Sequence, residues 1–233
     1  PISFKDVRMG VPICEDIWDE GFIDLQKENN LDLLINLSAS PFTTSKKEER
    51  GNVFAKISEK LNIPLIYVNQ TGGQDELVFD GTSSVINKQG DVTIELKSFA
   101  TDSIQFNYEK INKSSITEKT SNRLKDLYDS LVLATKDYVE KNNFKGVLIG
   151  SSGGIDSALT ATIATDALGS EKVRTIMMPF KYTADISIND AALLAKNLKI
   201  NHEEIPIEKV YDAHMGKLSE IFNNKKIDKT EEN

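Results

Sequence analysis

The chain has 233 residues, 39% of them hydrophobic, enough for one large packed domain or two modest ones. Its formal charge of −8 and pI near 5.0 deny it the positive field that draws DNA or RNA, though a local loop can still hold phosphates. The single cysteine, Cys14, precludes an internal disulfide and suits a reducing, cytoplasmic setting. No apolar run approaches the ~20 residues of a membrane span, so no membrane partner is expected.

The elements follow in chain order. Met9 to Ile13 reads as a buried strand that ends in the polar turn Cys14-Glu15-Asp16. Leu31–Leu37 and Ile63–Val68 are apolar runs of strand length. Between them, Val53, Phe54, Ile57 and Leu61 fall on one face of a helix from about Glu48 to Leu61. Ser84–Ile86 and Val92–Leu96 flank the turn Asn87-Lys88-Gln89-Gly90 and form a hairpin. Asn107 to Asn122 has the polar composition of a linker. A long helix through Leu124, Leu127, Leu131 and Tyr138 comes next, then a strand at Gly146–Ile149, a glycine-rich turn and a helix ending near Leu168. Val173–Met178 is the next strand, and Ser187-Ile188-Asn189-Asp190 reads as a capping box opening another helix. The strand–helix alternation predicts a parallel, doubly wound sheet.

Gly150-Ser151-Ser152-Gly153-Gly154-Ile155-Asp156-Ser157 lies between a strand and a helix. Glycines allow close backbone approach, and the helix start offers N–H groups to an anion. The hydroxyls of Ser151, Ser152 and Ser157 add donors. Asp156 would repel phosphate unless Mg²⁺ bridges the two. A Walker loop would carry a lysine here, and this one does not. The loop resembles the Ser-Gly-Gly-x-Asp-Ser loop of the N-type ATP pyrophosphatases, which implies ATP as co-substrate and Mg²⁺ on Asp156.

A lone cysteine is more often a small buried hydrophobe than a nucleophile. The neighbours of Cys14 change that reading. Gly10-Val11-Pro12-Ile13-Cys14-Glu15-Asp16-Ile17-Trp18 resembles the nucleophile turn of the nitrilase superfamily. The string from Tyr67 to Gly81, with Gly72-Gly73-Gln74-Asp75-Glu76 at its centre, is similar to the glutamine-dependent NAD⁺ synthetases in particular. So are Leu37-Ser38-Ala39-Ser40-Pro41-Phe42, Met178-Pro179-Phe180-Lys181-Tyr182-Thr183 and Thr230-Glu231-Glu232-Asn233.

The resemblance implies an α/β architecture of two parts. Residues 1–106 would be the C-terminal part of a nitrilase-like α-β-β-α glutaminase sandwich, 107–122 a linker, and 123–233 the N-terminal part of a Rossmann-like ATP pyrophosphatase domain. It implies Cys14 as nucleophile, the Glu15 N–H in an oxyanion hole, and Ser40 and Lys46 on the glutamine. Lys46 is equally readable as part of a solvated helix start. The general-base Glu and the Lys of the nitrilase triad are expected upstream of Pro1, and further ligase contacts beyond Asn233, so the chain reads as a piece of a longer one.

Glutamine, ATP and deamido-NAD⁺ are the implied small-molecule substrates, and a homo-oligomer the implied assembly. The rival readings are another glutamine amidotransferase of the ATP pyrophosphatase group and an inactive scaffold module. His202 and His214 lack metal-like spacing. Trp18, Phe22, Phe42, Met177 and Met178 read as packing residues, and Ser187 as a helix cap.

Overall fold

The computed structural model describes residues 1–113 and 122–221. The Thr230–Asn233 motif and part of the polar 107–122 stretch lie outside the described residues. The fold is mixed α/β, in two compact units, Pro1–Tyr138 and Val139–Asn233.

The first unit is built on a sheet of six strands: β1 (Ile2–Phe4), β2 (Val7–Gly10), β3 (Leu33–Ser38), β4 (Leu65–Asn69), β7 (Ser84–Ile86) and β8 (Val92–Glu95), in that spatial order. β2, β3 and β4 run parallel; the flanking pairs are antiparallel. A separate hairpin joins β5 (Thr71–Gln74) to β6 (Leu77–Asp80). Helices α1 (Glu20–Lys27) and α2 (Lys46–Leu61) supply the crossovers. Asp19 caps α1 by accepting the Phe22 N–H at 3.0 Å, and Asn62 ends α2 in the left-handed region at φ +54°.

Strand alternation sorts the side chains of β3 and β4 between two faces. The register pairs Leu34 with Leu65, Asn36 with Tyr67 and Ser38 with Asn69 on one of them. Leu34, Leu65 and Tyr67 there pack with Ile17, Ile23, Phe54 and Ile57 into the core under the helices. The other face carries Leu37 opposite Val68, 45% and 42% exposed.

The expected hairpin is present. The Asn87 carbonyl accepts the Gly90 N–H at 3.0 Å, and the Asn87 side chain accepts the Gln89 and Asp91 N–H groups. Part of the polar stretch is folded. Tyr108–Lys113 form a 3₁₀ helix in which Ile111 is buried, and the Tyr108 hydroxyl donates to the Asp32 carbonyl at 3.1 Å.

Helix α3 (Arg123–Lys141) spans the division between the units. Its Asp137 accepts the Gly73 N–H at 2.7 Å, and a Cβ on Gly73 would lie 3.3 Å from the Ala134 Cα. A Cβ at Gly73 would fit tightly there, and α3 or the hairpin would have to give by a few tenths of an ångström.

The second unit holds a parallel sheet in the order β11 (Asn201–Glu204), β10 (Val173–Met177), β9 (Val147–Ser151). Helices α4 (Ile155–Leu168) and α5 (Asp185–Leu198) connect the strands, touch each other and pack on the sheet through Ala161, Ala164, Val173, Ala195 and Ile200. Helix α6 (Glu208–Ile221) follows β11.

One expected boundary is corrected. Ser187 does not cap α5: the helix opens at Asp185 behind Ala184, and Ser187 sits in its first turn. The cause is the preceding turn, in which the Thr183 Oγ1 accepts the Phe180 N–H at 2.9 Å and the Phe180 carbonyl accepts the Thr183 N–H at 2.8 Å. That closed turn releases the chain into helix before the sequence's capping pattern begins.

Leu34 is fully buried at the centre of the first core, so Leu34→Ala should cost about 2–5 kcal/mol of stability, read as a lowered denaturant midpoint at unchanged slope.

Candidate functional sites

The first site grows from the end of β2. Pro12 and Ile13 continue along β3: Ile13 bridges Leu37 in parallel, and the Leu37 N–H donates to the Pro12 carbonyl at 3.1 Å. The chain then turns sharply, with Cys14 at φ +49°, a left-handed conformation that a side chain bearing a Cβ adopts only under constraint. The constraint is visible. The buried Asn36 amide donates to the carbonyls of Pro12 and Cys14, both at 3.3 Å, and the Asp16 carboxylate accepts the Ile13 N–H at 2.9 Å. Cys14 is half-buried and opens a short 3₁₀ helix, Cys14–Trp18, with Glu15 in its first turn. N–H groups in the first turn of a helix have no partner within it.

Cys14 lines a small cavity of about 50 Å³ together with Glu15, Trp18, Ser38, Ser40 and Lys46. The residues singled out in the first unit are therefore neighbours. The Lys46 ammonium lies 4.3 Å from the centre of the Trp18 ring and 3.9 Å from Glu49. Phe42 is elsewhere, edge-on to Phe99 at 5.1 Å.

Beneath the cavity is a network that sequence reading missed. The Arg50 guanidinium forks onto the Asp80 carboxylate at 3.0 and 2.5 Å, and the two residues are 3% and 2% exposed. Burial pulls the Arg50 pKa down, but hydrogen bonding and charge from Asp80, with help from Tyr67, more than offset it. The Tyr67 hydroxyl is pushed above its ordinary range chiefly by burial, against the pull of Arg50. Arg50 looked like one more cation in Lys46-Lys47-Glu48-Glu49-Arg50; only its fit to the apolar side of α2 marked it as inward-facing.

The second site is the loop from Gly150 to Ser157, at the C-terminal end of β9, where ligands of parallel sheets gather. Gly153 has φ +75°, and a Cβ there would lie 2.2 Å from the Ser187 carbonyl oxygen. Ser152 and Ser157 knit the loop. Their hydroxyls are 3.1 Å apart; the Ser152 Oγ accepts the Gly154 N–H at 3.2 Å; the Ser157 Oγ accepts the Ser152 N–H at 3.2 Å and donates to the Gly154 carbonyl at 3.1 Å.

These hydroxyls shape the loop, where the sequence suggested that they face a ligand. Ser151 is buried as the last residue of β9. Ile155 and Asp156 are exposed at the start of α4. A cavity of about 250 Å³ is lined by Ser151, Gly153, Gly154 and Ser157, and by Asp190 and Asn197 of α5, which the sequence had not marked. Met177 is buried while Met178 is exposed, its methyl 4.0 Å from where a Cβ on Gly150 would stand.

Among the described residues, no group of three or more His, Cys, Asp or Glu is placed to share a metal ion. His202 touches the Thr175 hydroxyl at 2.9 Å and is no part of either site. No helix among the described residues is long and apolar enough to cross a membrane.

Comparison with known proteins bears out the resemblance read from the sequence. Residues 127–233 match the NAD synthase family model. Glutamine-dependent NAD(+) synthetases are similar along the chain. That of Acinetobacter baylyi is 39% identical, over 97% of this chain and 42% of its own length; that of Synechocystis sp. is 38% identical, over 99% and 44%. The structure of the glutamine-dependent NAD⁺ synthetase of Acinetobacter baumannii, in complex with ADP, superposes with a TM-score of 0.93 at 37% identity, covering 99% of this chain and 44% of that one. The chain thus spans less than half the length of these relatives.

Within the loop, glycine is structurally demanded at one position and optional at the next. Gly153→Ala should destabilise the fold by at least about 1–3 kcal/mol from backbone strain alone, before the contact with Ser187 is relieved. Gly154→Ala, whose Cβ meets only the Ser152 Oγ at 3.3 Å, should leave the thermal midpoint close to wild type.

Proposed function

We propose that the chain carries the nucleophile of a glutaminase and the phosphate loop of an ATP-dependent ligase, and that the whole protein amidates deamido-NAD⁺ to NAD⁺ with ammonia from glutamine. The observation that carries the reading is the pairing of a strained cysteine turn with a lysine-free glycine- and serine-rich loop in one chain, 97% of which aligns with part of a glutamine-dependent NAD⁺ synthetase. Residues 1–106 are assigned to the glutaminase, 123–233 to the ligase, and 107–122 to the connection between them. The family match beginning at residue 127 supports the second assignment.

In the glutaminase half, the Cys14 thiolate attacks the carboxamide carbon of glutamine. The carbonyl oxygen takes up negative charge, and the Glu15 N–H faces it. Collapse expels ammonia and leaves a thioester, which water cleaves to glutamate. Ser40 and Lys46, on the same cavity, hold the polar ends of the substrate; the ammonium of Lys46 suits the α-carboxylate. The base that takes the thiol proton belongs to the portion of the protein outside this chain. The exposed apolar face carrying Ile13, Leu37 and Val68 is where that portion packs, completing an α-β-β-α sandwich.

In the ligase half, a carboxylate must be activated before ammonia can displace oxygen from it. The nicotinate carboxylate attacks the α-phosphate of ATP, pyrophosphate leaves, and ammonia then displaces AMP. The loop from Gly150 through Ser151, Ser152, Gly153, Gly154 and Ile155 to Ser157 shapes a cradle of N–H groups for the phosphates, aided by the positive end of α4. Asp156 alone is a sparse metal site, yet Mg²⁺ commonly takes one or two carboxylates and completes its shell with phosphate oxygens and water. Asp156 on the first turn of α4 fits that role. Asp156 would hold Mg²⁺ there, and the ion would supply positive charge toward the departing pyrophosphate.

In the full-length protein, Cys14→Ala should abolish glutamine-driven NAD⁺ formation and leave the ammonia-driven rate within about threefold of wild type; equal loss with both nitrogen sources overturns the two-site reading. Asp156→Asn should lower ATP-dependent activity at least tenfold with either source and shift the Mg²⁺ dependence of pyrophosphate release. Superimposable Mg²⁺ curves would remove Asp156 from the metal.

A further inference from the structure

We infer that the buried Arg50–Asp80 pair is a positioning device for the Cys14 cavity, holding Ser40 in place through Asn69 and fixing the Tyr67 hydroxyl on the same cavity. The inference rests on reading that cavity as the glutamine site. Replacing a buried ion pair by apolar residues of similar size is often neutral or favourable to stability. Stability alone is therefore a poor reason for this one, and its hydrogen bonds point to another.

Asp80 lies at the end of β6 and does more than pair with Arg50. Its carboxylate accepts from the Asn69 Nδ2 at 3.3 Å and from the Thr82 hydroxyl at 2.8 Å. An ionised carboxylate only accepts hydrogen bonds, whereas a side-chain amide both donates and accepts. Asp80 therefore fixes which way the Asn69 amide faces. With Nδ2 turned to Asp80, Oδ1 accepts the Ser40 N–H at 2.9 Å, and Nδ2 also donates to the Ser40 carbonyl at 3.3 Å. Both polar groups of the Ser40 backbone are thus clamped by one amide whose orientation Asp80 dictates.

Arg50 provides the second arm. Its Nη1 donates to the Tyr67 hydroxyl at 3.0 Å, and Tyr67 lines the cavity together with Ser40. Arg50 borders the cavity, but both its terminal nitrogens are directed at Asp80. It is therefore not the cation offered to a carboxylate entering the cavity; that falls to Lys46. Arg50 and Asp80 are positioning residues: they set where the Ser40 hydroxyl stands relative to Cys14.

The test uses the full-length protein and initial rates of glutamine hydrolysis, with thermal midpoints measured alongside. Arg50→Met should lower the midpoint by leaving Asp80 unpaired. The double change Arg50→Met with Asp80→Leu should bring the midpoint back to within a few degrees of wild type, yet keep the KM for glutamine at least tenfold raised with kcat within about threefold. Asn69→Ala, which leaves Arg50 paired with Asp80 and removes the clamp together with one hydrogen bond to Asp80, should raise the KM by a similar factor. A KM that returns to wild type together with the midpoint, or an unchanged KM in Asn69→Ala, overturns the inference. Cys14→Ala in the same assay separates the two layers. Hydrolysis surviving that change sinks the glutamine reading itself, whereas its loss beside unchanged KM values elsewhere sinks the positioning role alone.

Discussion

An ion pair that water scarcely reaches ties three pieces of the first unit together. Arg50 comes from the first half of α2, Asp80 from the end of β6, and the amide and phenol that they orient come from β4. A charge left alone in such a place is heavily penalised, so neither α2 nor the β5–β6 hairpin can shift without exposing one. The cysteine turn sits on the same foundation. Its floor is Asn36 and Ser38 of β3, the direct register partners of Tyr67 and Asn69 of β4. A slip of one residue between those strands would send the pair on the slipping strand to the opposite face and dismantle the cavity.

The second unit solves a related problem with less chemistry. Among the described residues, no buried charge holds its loop. It is held by two serine hydroxyls bonded to each other and to the loop backbone, and by a glycine pressed against the first turn of α5. Each site therefore stands at the C-terminal end of parallel strands, where the chain leaves the sheet for a helix. In each, a residue with positive φ makes the turn: Cys14 in one, Gly153 in the other. The cysteine bears strain that glycine avoids, and the dense bonding by Asn36 and Asp16 offsets it.

Much of this was legible in the sequence, because the strands are apolar runs bounded by turn residues and the Gly150–Ser157 loop is local in the chain. Cys14, Ser40 and Lys46 were also readable, but through the likeness of their surrounding strings to a family and not through any spacing. Contacts between distant residues were not readable. Nothing about Asp80 in Val78-Phe79-Asp80-Gly81 announces that it meets Arg50 thirty positions earlier. The start of α5 was misread because Ser187 and Asp190 satisfy a capping pattern, while the local Phe180–Thr183 turn just ahead of the helix carries no strong turn residues in its Phe-Lys-Tyr-Thr string. The 3₁₀ turn at Tyr108–Lys113 hid for a similar reason: one buried isoleucine in a polar stretch carries too little pattern to see.

The way the second loop spends its hydroxyls bears on how it would treat phosphate. With the Ser152 and Ser157 hydroxyls and the Ser152 and Gly154 N–H groups engaged inside the loop, an anion would fall to the other backbone N–H groups of the loop and of the first turn of α4. The helix behind them supplies the equivalent of only about half a positive charge at its start. ATP brings several negative charges, and Asp156 adds one more in the first turn of the same helix. Two unit charges at ~4 Å repel by roughly 4 kcal/mol even at an effective dielectric near 20, which the helix end cannot offset alone. A loop of this composition, proposed as an ATP site, therefore implies a cation brought with the nucleotide. A carboxylate that would be a liability in an anion cradle becomes, in its presence, the group that decides where that cation stands.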